Sequence, residues 1–346
     1  QVYQLGAGLQ ALGVKKGDTM ALLSEGRNMW IVGELAMFYA GAINVPLSIK
    51  LEESNDLLFR LIHGDVKYIM VSGNQLKKVR QIIDQLPQVE KVIVFDAQES
   101  YKEKEIALQE VLEMGDKYLS THTLEEFKTI ANSIENDDYA TITYTSGTTA
   151  DPKGVVLTHR NYTANVEQAL TLVGIDETWR TLIILPLDHC FAHVVGFYIM
   201  MSKGATVATV QVGRNPLESL KNIPLNIREV KPHFILSVPA LAKTFKKNIE
   251  QGIRAKGRLT WKLFKYGMKV TQIYYGDSNL DFKGFRYLLK PLVVLADKMI
   301  FSKVRANFGG SLRFFIGGGA LLDKDLQKFY IGVGIPMFQG YGLSEA

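Results

Sequence analysis

Short apolar runs alternate with amphipathic stretches along most of the 346 residues, and this alternation is the strongest constraint on the fold. Apolar runs of this length fit buried strands, and the amphipathic stretches between them fit helices that cover a sheet. The pattern therefore predicts an α/β protein with largely parallel sheets. The predicted strands are 42–47, 67–72, 91–96, 140–145, 181–185, 206–210, 234–238, 313–316 and 336–339, and helices are predicted at 74–86, 161–173 and 323–332.

The polar, charged stretch 97–138 has little strand character. We interpret it as a helical connection between two approximate lobes, residues 1–135 and 139–346. A basic insertion at 243–305 lies within the second lobe. Hydrophobic residues make up 47% of the chain, which excludes a disordered protein and a disulfide-stapled miniprotein. Cys190 is the single cysteine, so neither an internal disulfide nor a cysteine-based zinc site can form.

Two apolar stretches, 29–49 and 181–201, approach the length of a membrane span, but both contain ionisable residues. Glu34 interrupts the first stretch and Asp188 interrupts the second. A charge at the centre of a bilayer costs about 2.5–3.5 kcal/mol, so buried elements of a soluble protein are the better interpretation. Residues 1–18 carry no secretory signal pattern. With a single cysteine, this predicts a reducing compartment and a cytoplasmic protein.

The net charge of +5 conceals a strong asymmetry. Residues 243–305 contain 15 Lys and Arg and 4 Asp and Glu residues, a local charge of +11, and the remainder therefore carries −6. Basic residues mixed with aromatic ones suit an anionic membrane surface or a polyanionic ligand. A solvated, lysine-rich helical face stays open as an alternative. Nucleic acid is not predicted, because no helix-turn-helix, zinc-finger or RNP pattern accompanies the charge.

The most informative string is 144–155, Tyr-Thr-Ser-Gly-Thr-Thr-Ala-Asp-Pro-Lys-Gly-Val, which follows an apolar strand. Glycine and hydroxyl residues can wrap backbone N–H groups around phosphate oxygens, and Lys153 adds a positive charge. The spacing is not that of a Walker A loop. A Ser/Thr/Gly turn by itself also fits an ordinary hairpin loop.

This string resembles the phosphate loop of the adenylate-forming superfamily, which comprises acyl-CoA synthetases, luciferases and peptide-synthetase adenylation domains. The resemblance implies that the loop binds the phosphates of ATP, with Lys153 and Thr148 as catalytic residues and Thr148 also near a metal ion. Ala150 departs from the signature, which usually has Ser or Gly there. The implied phosphate-binding residues are Thr145, Ser146, Gly147, Thr148, Thr149 and Lys153.

A second string, 185–193, resembles the superfamily's next motif, in which a histidine and an aromatic residue line the acyl or aryl pocket. The resemblance implies that His189 and Phe191 border the substrate. Two alternatives stay open. His189 and His193 are four residues apart and could share a helix face as metal ligands, although no third ligand follows at a plausible spacing. Both could also be histidines without a chemical role.

Two further glycine-rich strings follow in the superfamily's order. Residues 317–321 resemble a Gly-Gly-Ala segment that contacts adenine, with Leu321 in place of the usual proline, and residues 339–345 resemble the Tyr-Gly-Leu-Thr-Glu motif. The resemblance implies that Tyr341 lies against adenine, that Ser344 serves the α-phosphate and that Glu345 is catalytic and holds Mg²⁺. The implied nucleotide-binding residues of the two strings are Gly317, Gly318, Gly319, Ala320, Gln339, Gly340, Tyr341, Gly342 and Ser344.

The resemblance extends beyond these motifs. Residues 9–47 look like the early part of acyl-CoA synthetases, and the basic insertion looks like that of the long-chain branch. This implies a long-chain fatty acid–CoA ligase that uses ATP, Mg²⁺ and coenzyme A to form an acyl-adenylate and then an acyl-CoA. Two alternatives stay open: an aryl- or medium-chain acid–CoA ligase, and a non-catalytic nucleotide-binding or membrane-docking module.

The resemblance covers the large N-terminal domain of the superfamily without the first residues of that domain. The small C-terminal domain is absent from the resemblance. A ribose-binding aspartate, an arginine and the catalytic lysine of the small domain would all follow Ala346. We therefore expect the 346 residues alone to bind ATP weakly and to turn over poorly or not at all. A homodimer and peripheral contact with the inner face of the membrane through residues 243–305 also stay open.

Overall fold

The computed structural model describes residues 1–145, 152–276 and 285–344, which form two compact units. The first unit is Gln1–Val173, Pro186–Val194 and Ser344–Ala346, and the second is Gly174–Leu185 and Val195–Leu343. The strands of the described residues are β1 (Thr19–Leu23), β2 (Ile43–Leu47), β3 (Val66–Val71), β4 (Lys91–Val94), β5 (Glu105–Ala107), β6 (Tyr139–Thr145), β7 (Lys153–Thr158), β8 (Arg180–Ile183), β9 (Thr206–Thr209), β10 (Phe234–Ser237), β11 (Phe314–Gly317) and β12 (Met337–Gln339).

Helices connect most of these strands, and short 3₁₀ or π-helical turns extend some of them. The α-helices are α1 (Val2–Leu12), α2 (Asn28–Tyr39), α3 (Ser54–His63), α4 (Leu76–Arg80), α5 (Leu108–Thr121), α6 (Leu124–Asn132), α7 (His159–Leu172), α8 (Ile199–Ser202), α9 (Pro216–Val230), α10 (Pro239–Ala255), α11 (Arg258–Tyr275), α12 (Lys290–Ala296), α13 (Ser302–Ala306) and α14 (Lys324–Val333). Within the described ranges, none of the helices is both long enough and apolar enough to cross a bilayer.

The first unit is built on a seven-stranded sheet in the order β5-β4-β3-β1-β2-β6-β7. Its strands are parallel except for β7, which runs antiparallel to β6. From β1 the chain first adds β2 on one side and then β3 on the other, as in a doubly wound sheet. The central strands are buried on both faces, as apolar runs in a parallel sheet should be.

The second unit is built on a five-stranded parallel sheet in the order β12-β11-β10-β8-β9. Its core is rich in aromatic residues, with Phe315 and Tyr330 fully buried and their rings 5.2 Å apart between centroids. The helix α14 joins β11 to β12. Asp323 caps its start by accepting hydrogen bonds from the backbone N–H groups of Asp325 and Leu326, and Gly334 ends it with a φ of 83°.

The predicted fold class is confirmed, since both sheets are largely parallel and alternate with helices. All nine predicted strands are present with ends that differ by one or two residues, while β1, β5 and β7 were not predicted. The sequence of β1, Thr-Met-Ala-Leu-Leu, is rich in residues with good helix propensity, and β5 has only three residues. The predicted helix 74–86 is instead the short α4 followed by a 3₁₀ turn at Ile83–Gln85.

The two units do not divide where the sequence placed its lobes. The expected boundary at 135–139 lies directly before β6, but β6 and β7 extend the first sheet beside β2. The first unit therefore continues through α7 to Val173. The connection 97–138 contains α5 and α6, as predicted, and both of these helices belong to the first unit together with β5.

The crossing of α1 and α5 depends on two glycines, which allows a stability prediction. A Cβ atom added to Gly115 would overlap the carbonyl oxygen of Gln4, and one added to Gly8 would overlap that of Val111. We expect Gly115→Ala to destabilise the first unit by about 1–3 kcal/mol, because the helices must move apart. Gly252→Ala in α10 is the matched control, since its Cβ meets nothing within 4 Å, and it should be neutral or slightly stabilising. Scanning calorimetry that gives equal melting temperatures for both variants would contradict this.

Candidate nucleotide and acyl site

Two of the sequence motifs meet at one edge of the second unit's sheet. Gly317 ends β11 and residues 318–321 follow it, while residues 340–343 follow β12, and these strands are parallel neighbours. The N–H group of Gly340 donates to the carbonyl of Gly317 at 2.6 Å. In parallel sheets, ligands bind outside the carboxyl ends of the strands. The structure therefore brings both motifs to the edge where a ligand is expected.

Gln339 joins these two loops through its side chain. Its Oε1 accepts a hydrogen bond from the N–H group of Leu322 at 2.7 Å, and its Nε2 donates to the carbonyl of Ala320 at 3.2 Å. Gly319 has a φ of 76°, a conformation that other residues rarely adopt. Tyr341 is 91% exposed, so its ring is open to a flat ligand. The second unit thus carries two loops whose backbones approach each other closely, and one of these loops exposes an aromatic ring.

The string predicted to bind phosphate begins and ends in two antiparallel strands of the first unit. Thr145 ends β6 and Lys153 begins β7, and these two residues are register partners. Lys153 is exposed. The base of the hairpin is held to α3, because the hydroxyl of Tyr144 lies 2.8 Å from His63 Nδ1 and 3.3 Å from the Arg60 carbonyl. The predicted phosphate-binding residues Ser146, Gly147, Thr148 and Thr149 lie outside the described residues, as does Ala150.

The two predicted pocket residues lie in the segment Pro186–Val194, which belongs to the first unit. His189 is exposed and Phe191 is half-buried, so both side chains can reach a ligand. His193 is instead buried and lies within hydrogen-bonding distance of Glu34. Among the described residues, no group of three His, Cys, Asp or Glu side chains could hold a metal ion. The structure thus gives the two histidines of this string different surroundings.

The buried partner of His193 is a feature that the sequence did not reveal as part of the site. Glu34 on α2 is fully buried, and its Oε2 lies 2.5 Å from His193 Nε2. Its Oε1 accepts a hydrogen bond from Asn44 Nδ2 at 2.7 Å. The Trp30 ring meets the imidazole edge-on, with 5.2 Å between centroids. These contacts fix the segment that carries His189 and Phe191, and the only sequence signal was an acidic residue in an otherwise apolar run.

Cys190 connects this segment to the last described residue, Ser344. Burial raises the pKa of the Cys190 thiol above its ordinary value, while the neighbouring hydroxyls of Thr143 and Ser344 act in the opposite direction. Burial likewise raises the pKa of Tyr162, whose hydroxyl lies 2.8 Å from Thr141 Oγ1. Because Ser344 neighbours Cys190, the predicted α-phosphate ligand lies beside the segment that is predicted to line the acyl pocket. The predicted metal ligand Glu345 follows it outside the described residues, as does Thr148.

Comparisons with known proteins identify the family of this chain. The family model described as AMP-binding enzyme matches residues 1–346. The chain belongs to the AMP-binding enzyme family. This confirms the resemblance to adenylate-forming enzymes that the four motifs indicated.

Relatives of this chain include proteins named as long-chain acyl-CoA synthetases or ligases. The chain is 27% identical over 361 residues to Long chain acyl-CoA synthetase 8 of Arabidopsis thaliana. This alignment covers 100% of the chain and 48% of that protein. It is 28% identical over 352 residues to the long-chain-fatty-acid–CoA ligase FadD15 of Mycobacterium bovis. That alignment covers 100% of the chain and 54% of the relative. The chain thus spans about half the length of the curated relatives it matches.

A solved structure of the same fold is the anthranilate CoA ligase AuaEII in complex with anthranoyl-AMP. The TM-score is 0.69 at 18% identity, and the alignment covers 99% of this chain and 54% of that chain. At this identity the likeness establishes the fold alone. It supports the predicted assignment of the AMP-binding enzyme to the N-terminal domain of adenylate-forming enzymes.

The environment of Cys190 predicts a slow reaction of its thiol with alkylating reagents. A thiol whose pKa is raised has less reactive thiolate at pH 8 than an ordinary thiol, and the fraction grows as the pH rises through the higher pKa. We expect iodoacetamide to react at least about tenfold more slowly with the native protein than with the urea-unfolded protein at pH 8. Mass spectrometry of the time course measures this cleanly, because the chain has one cysteine. Equal rates in both states would contradict a thiol that the fold partly shields.

Proposed function

We propose that this chain is the adenylation domain of a long-chain fatty acid–CoA ligase. The observation that carries the proposal is the match of the AMP-binding enzyme family to the whole chain, together with two relatives named as long-chain ligases. In the proposed reaction, a fatty acid carboxylate oxygen forms a bond to the α-phosphorus of ATP, and the bond to pyrophosphate breaks. The thiol of coenzyme A then attacks the acyl carbon, loses its proton and displaces AMP.

A carboxylate is already nucleophilic, so the protein must mainly align the attack and offset phosphate charge. In the proposal, Lys153 and the hydroxyl of Thr145 face the phosphates from the two strands of the hairpin. Ser344 serves the α-phosphate. His189 and Phe191 border the carboxylate end of the fatty acid, next to Ser344 by way of Cys190.

The nucleotide base is proposed to lie on the loops of the second unit. The open ring of Tyr341 and the backbone of Gly317–Gly319 would contact adenine, and Gln339 keeps the two loops together. Magnesium stays part of the proposal through Glu345 and Thr148, and the ion would offset phosphate charge. Both ligands lie outside the described residues, so no step is assigned to the ion. A cytoplasmic location also stays a prediction.

The decisive test is pyrophosphate release by the full-length protein that contains this chain, with saturated fatty acids from C8 to C18 and with benzoate. Each methylene that a pocket buries contributes about 0.8 kcal/mol, so kcat/KM should rise roughly fourfold per carbon until the pocket ends. A maximum among the long chains is the expected result. A maximum at C8 or with benzoate would instead identify the medium-chain or aryl ligase. No activity with any acid would contradict the proposed function.

A further inference from the structure

The helix α11 in the second unit carries an apolar stripe on its exposed side. Leu259 is 72% exposed, Leu263 38%, Tyr266 60% and Ile273 42%. Their spacing of four, three and seven residues places them on one face of an α-helix. A row of large exposed apolar side chains is typical of a surface that binds a protein, a membrane or a ligand.

A basic row runs along the same helix beside this stripe. Lys262 and Lys269 are exposed, lie two turns apart and flank the apolar face, and the helix contains no acidic residue. The charge continues into the neighbouring elements: residues 258–275 and 286–305 together contain nine Lys and Arg residues and one acidic residue, Asp297. That aspartate is already paired with Arg305. The positive charge beside the stripe is therefore uncompensated by acidic residues of these segments.

The opposite side of α11 is fixed in the core, so the exposed face is presented on a rigid element. Phe264 packs against Phe301 and Phe329, with ring centroids 6.0 and 6.3 Å apart. Gly267 lies against Phe301 and Ala296, where a Cβ would approach both to 3.1 Å. A second exposed apolar row follows on the adjoining helical turns, formed by Leu288, Leu292, Leu295 and Met299 at spacings of four, three and four residues.

We propose that the exposed face of α11, formed by Leu259, Lys262, Leu263, Tyr266, Lys269 and Ile273, docks the protein on an anionic lipid bilayer. An apolar stripe bordered by lysines is the pattern of helices that lie in the membrane interface, and a tyrosine ring suits the headgroup level. Charge complementarity favours this occupant over a second copy of the chain, since two copies would bring like-charged lysine rows together. The inference does not rest on the proposed ligase activity.

The test is co-sedimentation of the full-length protein with phosphatidylcholine vesicles that contain or lack phosphatidylserine. A lysine near an anionic bilayer strengthens binding by about fivefold, so Lys262→Glu with Lys269→Glu should weaken binding to the anionic vesicles by about 30-fold or more. The matched control is Lys117→Glu with Lys221→Glu, which makes the same charge change at exposed positions on α5 and α9. The control should bind like the unaltered protein. Added salt should weaken the binding of both proteins that retain the lysine pair.

A second pair of variants tests the apolar contribution. Leu259→Ser with Leu263→Ser should weaken binding by about tenfold even at high salt, whereas Leu172→Ser on α7, 85% exposed, should have no effect. Binding that is equal in the α11 variants and their controls would overturn the proposal. So would a dimer, seen by analytical ultracentrifugation without lipid, that the α11 variants disrupt. Vesicle binding is measured without turnover, so its failure is distinguishable from failure of the ligase assay.

Discussion

Replacing Lys153 by alanine is expected to lower ATP-dependent pyrophosphate release by about 10²–10³-fold. Lys153 begins β7 opposite Thr145, at the neck of the loop that the proposal assigns to phosphate binding. Charge on the phosphates increases during the attack, and a fixed cation at that point stabilises the transition state more than the bound substrate. Because the side chain is exposed and only its backbone takes part in the strand pairing, the variant should fold normally.

The control variants separate this role from a general loss of positive charge. Lys153→Arg keeps the charge and should retain more activity than Lys153→Ala, while Lys203→Ala, at an exposed position after α8, should have full activity. Measuring ATP affinity alongside the rate shows whether the loss falls on kcat or on binding. ATP binding that is unchanged by Lys153→Ala or by Glu345→Ala would instead favour a non-catalytic nucleotide-binding or membrane-docking module.

Much of the fold could be predicted because parallel strands buried on both faces produce continuous apolar runs. The runs at β3, β10 and β11 are examples, each with a clear boundary in the sequence. The missed strand β7 has a mixed burial pattern. It lies at the edge of its sheet, where it pairs with β6 alone. The antiparallel pairing of β7 with β6 is also something that periodicity could not show.

The candidate site was predicted from motif order, and the structure adds contacts that no linear pattern contains. Gln339 was predicted as a nucleotide-binding residue, but its hydrogen bonds to the loop after β11 depend on the pairing of β11 with β12. Likewise, Cys190 and Ser344 are separated by more than a hundred residues in sequence and are neighbours only in the folded unit. Tertiary pairing of this kind requires the folded structure.

The buried pair of Glu34 and His193 leads to the largest stability effect that we expect. Removing one partner of a buried ionic or hydrogen-bonded pair leaves the other without compensation, which typically costs about 3–5 kcal/mol. Glu34→Ala should therefore destabilise the first unit by about that amount, since it also removes the acceptor of the Asn44 hydrogen bond. Glu34→Gln keeps hydrogen-bonding atoms in place and should cost less, about 1–3 kcal/mol.

Urea unfolding followed by tryptophan fluorescence measures these differences, and of the three tryptophans Trp30 is the one whose ring contacts that of His193. The matched control is Glu135→Ala, which removes an exposed acidic side chain from the same unit and should change stability by less than about 0.5 kcal/mol. The double variant Glu34→Leu with His193→Leu should recover part of the loss, because neither residue is then left buried without the other, while Asn44 still lacks its acceptor. If the separately measured costs of Glu34→Leu and His193→Leu simply add in the double variant, the two residues are not coupled. The pair would then not be what fixes the segment bearing His189 and Phe191.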